Sequence, residues 1–133
     1  MATDGLVTMK SAHDPWATIQ RLEAAVTQHG LSVFASIDHA AGAASAGLEL
    51  RPTALLIFGN ARGGTPLMQA VQTIGIDLPL KVLVWQDREG NTWLSYDDPG
   101  WLAKRHGLGS EVVEETRGLT ATIASIAREA ASE

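Results

Sequence analysis

The pattern of apolar and polar positions in residues 53–69 predicts a buried strand, a glycine loop and a helix. Residues 53–58 form a short, mostly apolar run between a proline and a glycine, which is typical of a strand covered on both faces. Residues 59–64 hold three glycines and one asparagine, types that tolerate a positive φ. Thr65 and Pro66 then have the residue types preferred at a helix N-cap and at the first helical position.

Alternating or apolar runs predict four further strands, and 3.6-residue periodicity after Asp-Pro or serine predicts the helices. These strands lie at residues 6–9, 31–38, 80–86 and 92–96, and helices begin after Asp14, Asp98 and Ser110. The last helix, at about residues 110–131, either covers the sheet or packs on its copy in a dimer. We therefore predict an α+β fold, a two-layer sandwich with about five strands in a mixed sheet and helices mainly on one face.

Residues 38–47 are almost entirely alanine, glycine and serine. We predict a helix here, capped by Asp38 and ended by Gly47, whose small side chains let another backbone come close. That neighbour is a sheet or a partner chain. The alternative is a flexible loop of low complexity.

The composition is that of one ordinary globular domain spanning residues 1–133. Of the 133 residues, 45% are hydrophobic, which is enough for one core. The chain has no cysteine, which excludes disulfides, zinc–thiolate sites, iron–sulfur clusters and cysteine nucleophiles. The net charge of -5, without a basic cluster, argues against nucleic acid as a partner.

The hydropathy pattern gives no sign of a membrane partner. No apolar run approaches the ~20 residues that a membrane-spanning helix needs. The first residues have neither a basic region nor an apolar stretch of the kind found in secretory signals. We expect a cytoplasmic protein.

The glycine loop has the chemistry to bind a small anion. Helix amino ends present free N–H groups and a positive dipole, and Asn60, Arg62, Gly64 and Thr65 add polar contacts and charge. A phosphate-binding P-loop requires lysine followed by serine or threonine after its last glycine, whereas Thr65 and Pro66 occupy these positions. Nucleotide binding is therefore not favoured. The alternative interpretation is a turn that only lets the helix fold back on the strand.

Several motifs occur in order along the chain and together resemble one known family. The central motifs are Leu50-Arg51-Pro52-Thr53, Leu55-Leu56-Ile57-Phe58-Gly59-Asn60, Gly64-Thr65-Pro66-Leu67-Met68, Gly75-Ile76-Asp77-Leu78-Pro79-Leu80-Lys81 and Val84-Trp85. The motif Asp38-His39-Ala40 precedes them, and Tyr96 with Asp98-Pro99 follows them. Over about residues 6–108 the chain resembles domain-of-unknown-function family 302. The resemblance implies a small α+β domain that tends to form homodimers, and it implies no established activity. Ala61 departs from the pattern, which commonly has proline after the asparagine.

Three classes of function follow from these features. The first is a homodimeric small-ligand-binding or accessory and regulatory module. Its site would join Asn60, Arg62, Gly64 and Thr65 to His39, Glu49 and Arg51 if the fold brings them together. The plainer alternative makes Glu49 and Arg51 an ion pair at the start of a strand, and His39 a residue that only begins a helix.

The second class is an enzyme of unknown reaction, with His39 as general base and Glu49 or Asp77 orienting it. The third is a purely structural dimerisation module. The four histidines have no metal-binding spacing, so we expect neither a metal site nor a cofactor. Trp85 and Trp93 should lie close together across a hairpin, where they pack as core or interface or offer an aromatic platform.

Overall fold

The computed structural model describes residues 3–133, which form a five-stranded sheet with its main helices packed on one face. The strand order is β1-β5-β4-β3-β2. The strands are β1 (Leu6–Lys10), β2 (Ser32–Asp38), β3 (Thr53–Gly59), β4 (Leu80–Gln86) and β5 (Thr92–Asp97). The helices are α1 (Pro15–Gln28), α2 (His39–Ser45), α3 (Ala61–Ala70), α4 (Pro99–Arg105) and α5 (Val113–Ala131), with 3-10 helices at Gln72–Ile76 and Ser110–Val112. The predicted α+β class is confirmed; Met1 and Ala2, part of the predicted domain, lie outside the described residues.

The sheet is antiparallel at each of its four strand pairs, so the expectation of a mixed sheet was wrong. Strands β1 and β2 run in the same direction, but helix α1 carries the chain across the whole sheet between them. They therefore lie at opposite edges and do not pair. Strands β3, β4 and β5 each lie beside the strand that precedes them in the chain and run in the opposite direction to it.

The main core lies between one face of the sheet and helices α1 and α5. Every second side chain of β3, β4 and β5 points into it, as strand geometry requires. Burying one such aliphatic or aromatic side chain contributes about 1.5–3 kcal/mol. The buried members are Leu22, Ala25 and Val26 of α1, Leu56, Phe58, Leu80, Val82, Val84, Leu94 and Tyr96 of the sheet, and Ile123, Ile126, Ala127, Ala130 and Ala131 of α5.

A second, smaller core joins α3, α4 and the two 3-10 helices. Its buried members are Leu67, Ile74, Leu102, Ala103, Leu108 and Val112. Leu78 and Leu119 are only partly buried, and they pack against both cores. The boundary between the two cores therefore runs past these two leucines, beside the glycine loop.

Helix α3 begins one turn earlier than predicted. Its N-cap is Asn60, whose side-chain oxygen accepts a hydrogen bond from the N–H of Gly63 at 2.9 Å. Thr65 is therefore not the N-cap, and Pro66 lies inside the helix. Asparagine caps at least as well as threonine, and it comes first along the chain.

The remaining helix predictions had different outcomes, and Asp14 and Asp98 cap α1 and α4 as predicted. Helix α2 forms as predicted, with the Asp38 carboxylate accepting from the N–H of Ala41 at 2.9 Å. Ser110 does not cap the last helix, because a 3-10 turn at Ser110–Val112 comes first and α5 begins at Val113. The apolar stripe of α5 covers the sheet, as one of the two predicted alternatives stated.

A hydrogen-bonded group around Asp77 ties the 3-10 helix at Gln72–Ile76 to helix α4. Arg105 donates to both carboxylate oxygens of Asp77 at 2.8 Å, and Nε2 of His106 bonds to one of them at 2.5 Å. Because the carboxylate can only accept, Nε2 of His106 carries a proton, and Nδ1 of the same ring lies 2.9 Å from the Thr73 hydroxyl. Burial would raise the pKa of Asp77, but the His106 hydrogen bond and the charges of Arg105 and His106 lower it below its usual value.

We expect Asp77→Asn to lower the free energy of unfolding at pH 7 by about 1–3 kcal/mol, because it removes charged hydrogen bonds from a mostly buried group. A lowered native pKa stabilises the fold at pH values above the unfolded-state pKa of about 4, and this contribution is lost as the pH falls through the native pKa. The difference between wild type and variant should therefore shrink towards pH 3. Urea unfolding at pH 7, 5 and 3 measures it.

Glu114→Gln is the matched control, because Glu114 also pairs with an arginine, Arg117, at 3.2 Å. Both of those side chains are more than 70% exposed, so the exchange should change stability little at any pH. Equal losses in the two variants would contradict the role given to Asp77.

Candidate functional site

A cavity of about 230 Å³ lies at the boundary between the two cores, beside the glycine loop. The loop and first turn of α3 form one wall, helix α5 forms the opposite wall, and leucine and proline side chains form the base. The apolar base consists of Leu31, Leu78, Pro79, Leu80 and Leu119. The volume is slightly below the range of about 300–1,000 Å³ found for sites that hold drug-sized molecules, so the cavity suits a smaller ligand.

The three glycines of the predicted glycine loop, Gly59, Gly63 and Gly64, line the first wall of the cavity without side chains, and residues 61–64 of that loop form the first turn of α3. Gly59 is buried with φ at +154°, a backbone conformation that other residues rarely adopt. A side chain added at Gly64 would meet Leu78 at 3.4 Å. The chain can therefore leave β3, turn sharply and begin α3 without filling the space beside it.

Helix α5 forms the opposite wall with Glu115, Gly118, Leu119 and Thr122. The two walls approach closely at Gly63, where an added Cβ would lie 3.1 Å from a methyl group of Leu119. At Gly118 an added Cβ would meet nothing within 4 Å, so open space lies beside this residue. Small residues thus hold the helices together at one point and leave room at another.

Arg62 and Glu115 bring opposite charges to the cavity from two different helices, α3 and α5. Both are exposed, and neither belongs to any of the four ion pairs within residues 3–133. The amino end of α3 adds positive potential on the side of Arg62. The arrangement can bind a small molecule through charge at its rim and apolar contact at its base.

Three of the predicted ligand-binding residues line this cavity: Asn60, Arg62 and Gly64. The side-chain oxygen of Asn60 is engaged in capping α3, which leaves its amide group for other contacts. Thr65 is exposed in the middle of α3 and is not among the lining residues. The earlier start of the helix moves Thr65 away from the helix end where it was expected.

The other predicted residues lie at the opposite end of β3. Arg51 precedes the strand and Asn60 follows it, so about 20 Å of strand separates them. Arg51 and Glu49 border an open groove beside α2, and the guanidinium of Arg51 donates to the carbonyl of Gln86 at 3.2 Å. His39 is the exposed first residue of α2. The fold does not bring these three residues to the glycine loop.

His39, the predicted general base, and Asp77, the second carboxylate proposed to orient it, also lie apart. Asp77 orients His106, and His106 in turn faces the hydroxyl of Thr73, which gives the order carboxylate, imidazole, hydroxyl. Such an order is used in nucleophilic catalysis. Here the cavity that Asp77 lines measures about 10 Å³, room for about one water molecule. The group is therefore interpreted as a tether between two helices.

The face of the sheet opposite α1 and α5 is uncovered and carries the two predicted tryptophans. Trp85 and Trp93 stack with ring centroids 6.2 Å apart and planes at 26°. Their indole N–H groups donate to Ser95 at 2.9 Å and to Asp87 at 2.8 Å. Both polar atoms are thus satisfied within the fold, which fits packing better than a ligand platform.

No helix within residues 3–133 has the length and apolar character needed to cross a membrane. No three histidine, aspartate or glutamate side chains lie together there in a way that could hold a metal ion.

The sequence interpretation missed the wall supplied by α5. No predicted site included Glu115, and the last helix, at about residues 110–131, lay outside the region of family resemblance at about residues 6–108. The one local signal was Gly118, an isolated glycine inside the predicted last helix, three residues after Glu115.

Comparison with known proteins gives relatives that are longer than this chain. A protein of Brucella suis biovar 1 (strain 1330) named "Fluoride-specific ion channel FluC 1" is 52% identical over 105 residues, which cover 79% of this chain and 41% of that protein. Proteins of Brucella abortus and Brucella melitensis, named FluC 1 and FluC 2, match at 52% identity over 39% of their length. The chain thus spans about two fifths of the relatives it matches.

Comparison with solved structures gives the same fold. The crystal structure of an uncharacterized conserved protein DUF302 from Bacillus stearothermophilus aligns with a TM-score of 0.85, covering 96% of this chain and 99% of that chain at 20% identity. The family model described as "Domain of unknown function DUF302" matches residues 7–126, which includes the part of α5 that lines the cavity. This chain belongs to the DUF302 family, whose description leaves the function open.

Proposed function

We propose that this chain is a cytoplasmic, homodimeric domain that binds a small ligand in the cavity between the glycine loop and helix α5. The observation that carries the proposal is the cavity of about 230 Å³ with Arg62 at its rim and leucines at its base. An apolar cavity with a few convergent polar groups is the usual form of a small-molecule site.

The charge at the loop indicates that the ligand carries a negative group. Arg62 has no ion-pair partner in the described residues, and the positive end of α3 lies beside it. A guanidinium offers up to five N–H donors in a fixed plane, which matches a carboxylate or phosphate. We therefore expect a small anion with an apolar part.

A side chain placed at Gly118 should block this site without harming the fold. Gly118→Leu projects atoms into open space beside the cavity, and replacing a glycine within a helix should stabilise the chain by about 0.5–1 kcal/mol. In a thermal-shift screen with acetate, 4-methylpentanoate and inorganic phosphate, at least one anion should raise the melting midpoint of the wild type. The shift should vanish in Gly118→Leu and in Arg62→Gln.

Gly118→Ala is the matched control, since it gains the same helix propensity but adds only one methyl group. It should keep the ligand-dependent shift. A shift that survives in Gly118→Leu would contradict binding at this cavity.

The homodimer proposal is supported by the uneven distribution of exposed apolar side chains. Five of the ten large hydrophobic residues that are exposed in residues 3–133 lie in the short segment of β2, α2 and the loop after it: Val33, Phe34, Ile37, Leu48 and Leu50. Strand β2 is a sheet edge without a lysine, arginine or proline, and the irregularity in its pairing with β3 is confined to the step between Val33 and Ala35. None of the residues of α2 is buried, so its alanines remain free to pack on a second copy.

We expect Phe34→Lys to convert a dimer into a monomer, because it places a charge in the exposed edge where Phe34 is 54% exposed. Analytical ultracentrifugation at micromolar concentrations measures the change. Ile76→Lys is the control, since Ile76 is 78% exposed but lies outside this segment. A wild type that sediments as a monomer, or a Phe34→Lys variant that stays dimeric, would contradict the proposal.

An accessory role beside a fluoride channel is a second proposal, and it rests on the length of the Brucella relatives. Those proteins are named fluoride-specific ion channels, and the segment similar to this chain makes up about 40% of each. A ligand-binding domain in the same polypeptide as a channel is well placed to regulate it, because binding that favours one conformation shifts the equilibrium of the whole chain.

Removing the similar segment from the Brucella suis protein should alter fluoride efflux from liposomes, measured with a fluoride electrode. Replacing that segment with this chain should restore the original rate, because the two are 52% identical over 105 residues. Replacement with the Gly118→Leu chain should restore it only in part. Unchanged efflux after removal of the segment would exclude the accessory role.

A further inference from the structure

We propose that the ligand is a zwitterion with an apolar body, of the kind represented by an aliphatic amino acid. The inference rests on the proposed ligand-binding function and names the class of molecule that the same cavity accepts. Arg62 of α3 and Glu115 of α5 both line one apolar cavity, and this juxtaposition carries the inference.

Arg62 faces the cavity with its charge uncompensated. It lies in the first turn of α3, next to residues whose backbone N–H groups have no partner within the helix. A carboxylate at this rim would meet both the guanidinium and the positive end of the helix. This side of the cavity therefore recognises the negative group of the ligand.

Glu115 gives the opposite wall a negative charge that the fold itself does not use. Its neighbour Glu114 pairs with Arg117 at 3.2 Å, whereas Glu115 has no such partner in residues 3–133 and lines the cavity. Acidic residues near the amino end of α5 interact favourably with the helix dipole, but this interaction does not require Glu114 or Glu115 to face the cavity. An ammonium group placed between the walls would satisfy Glu115.

The apolar base of the cavity requires an apolar part in the ligand, in addition to a carboxylate for Arg62 and an ammonium group for Glu115. Leu31, Leu78 and Leu119 are partly buried there and would contact the apolar part of a ligand. A simple inorganic anion would leave both this surface and Glu115 without a partner. A monoanion with an apolar body would fill the base but would bring its charge close to Glu115 without compensation. A zwitterion with an aliphatic side chain would pair with both Arg62 and Glu115 and would also contact the apolar base.

Three probes that share one branched aliphatic body test the inference: L-leucine, 4-methylpentanoate, which lacks the ammonium, and 3-methylbutylamine, which lacks the carboxylate. Isothermal titration calorimetry on the intact chain should show that L-leucine binds about tenfold more tightly than either single-charge probe, as expected when a charged hydrogen bond is lost. Circular dichroism and melting midpoints check that every variant is folded.

Matched variants assign each charge. Glu115→Gln should weaken L-leucine about tenfold and leave 4-methylpentanoate unchanged or bound more tightly, while Arg62→Gln should weaken L-leucine and leave 3-methylbutylamine unchanged. Glu114→Gln, one residue away but already paired with Arg117, should change none of the affinities.

The possible results distinguish a failure of the zwitterion proposal from a failure of the ligand-binding function. If 4-methylpentanoate binds as tightly as L-leucine, and its thermal shift is lost in Gly118→Leu, the zwitterion is overturned while the cavity remains a ligand site. If L-leucine fails to bind, the zwitterion is overturned as well. If in addition no anion of the screen gives a shift, the ligand-binding function fails with it.

Discussion

The burial of one sheet face beneath helices α1 and α5 is the interaction on which the rest of the structure depends. All buried residues of α5 lie in its second half, from Ile123 onwards. This half is held against the sheet by the large area of apolar surface removed from water. Its first half contains Leu119, which packs against both the main core and the second, smaller core. Two cores that meet along a helix leave a boundary where packing is incomplete, and the cavity lies in that boundary.

Small residues decide what the boundary can hold. Gly63 allows α3 to approach α5 until only 3.1 Å would separate an added Cβ from Leu119, and Gly118 leaves open space nearby. The apolar base and the two charges at the rim are supplied by elements that the main core already fixes in place. Such a site is largely preformed, so little conformational freedom would be lost on binding.

The comparisons distinguish the features that this chain shares with its relatives from those that are described for this chain alone. A protein only 20% identical has the same fold over nearly its whole length, as expected when packing constraints rather than particular residues maintain an architecture. The family model extends to residue 126 and thus includes the wall formed by α5. The uncovered sheet face and the exposed edge at β2 are features of one isolated chain, and they are where contacts with a second chain are available.

The sequence by itself determined the α+β class, the strand–loop–helix unit and three residues of the cavity, because periodicity, capping residues and glycines act over a few neighbouring positions. Only the tertiary structure decided that every strand pair is antiparallel, that Arg51 and Asn60 lie at opposite ends of β3, and that Asp77 bonds to His106 rather than to His39. It also brought Glu115 to the same cavity as Arg62, although 53 positions separate them along the chain. Contacts between distant residues follow from how helices and strands pack, and no local pattern encodes them.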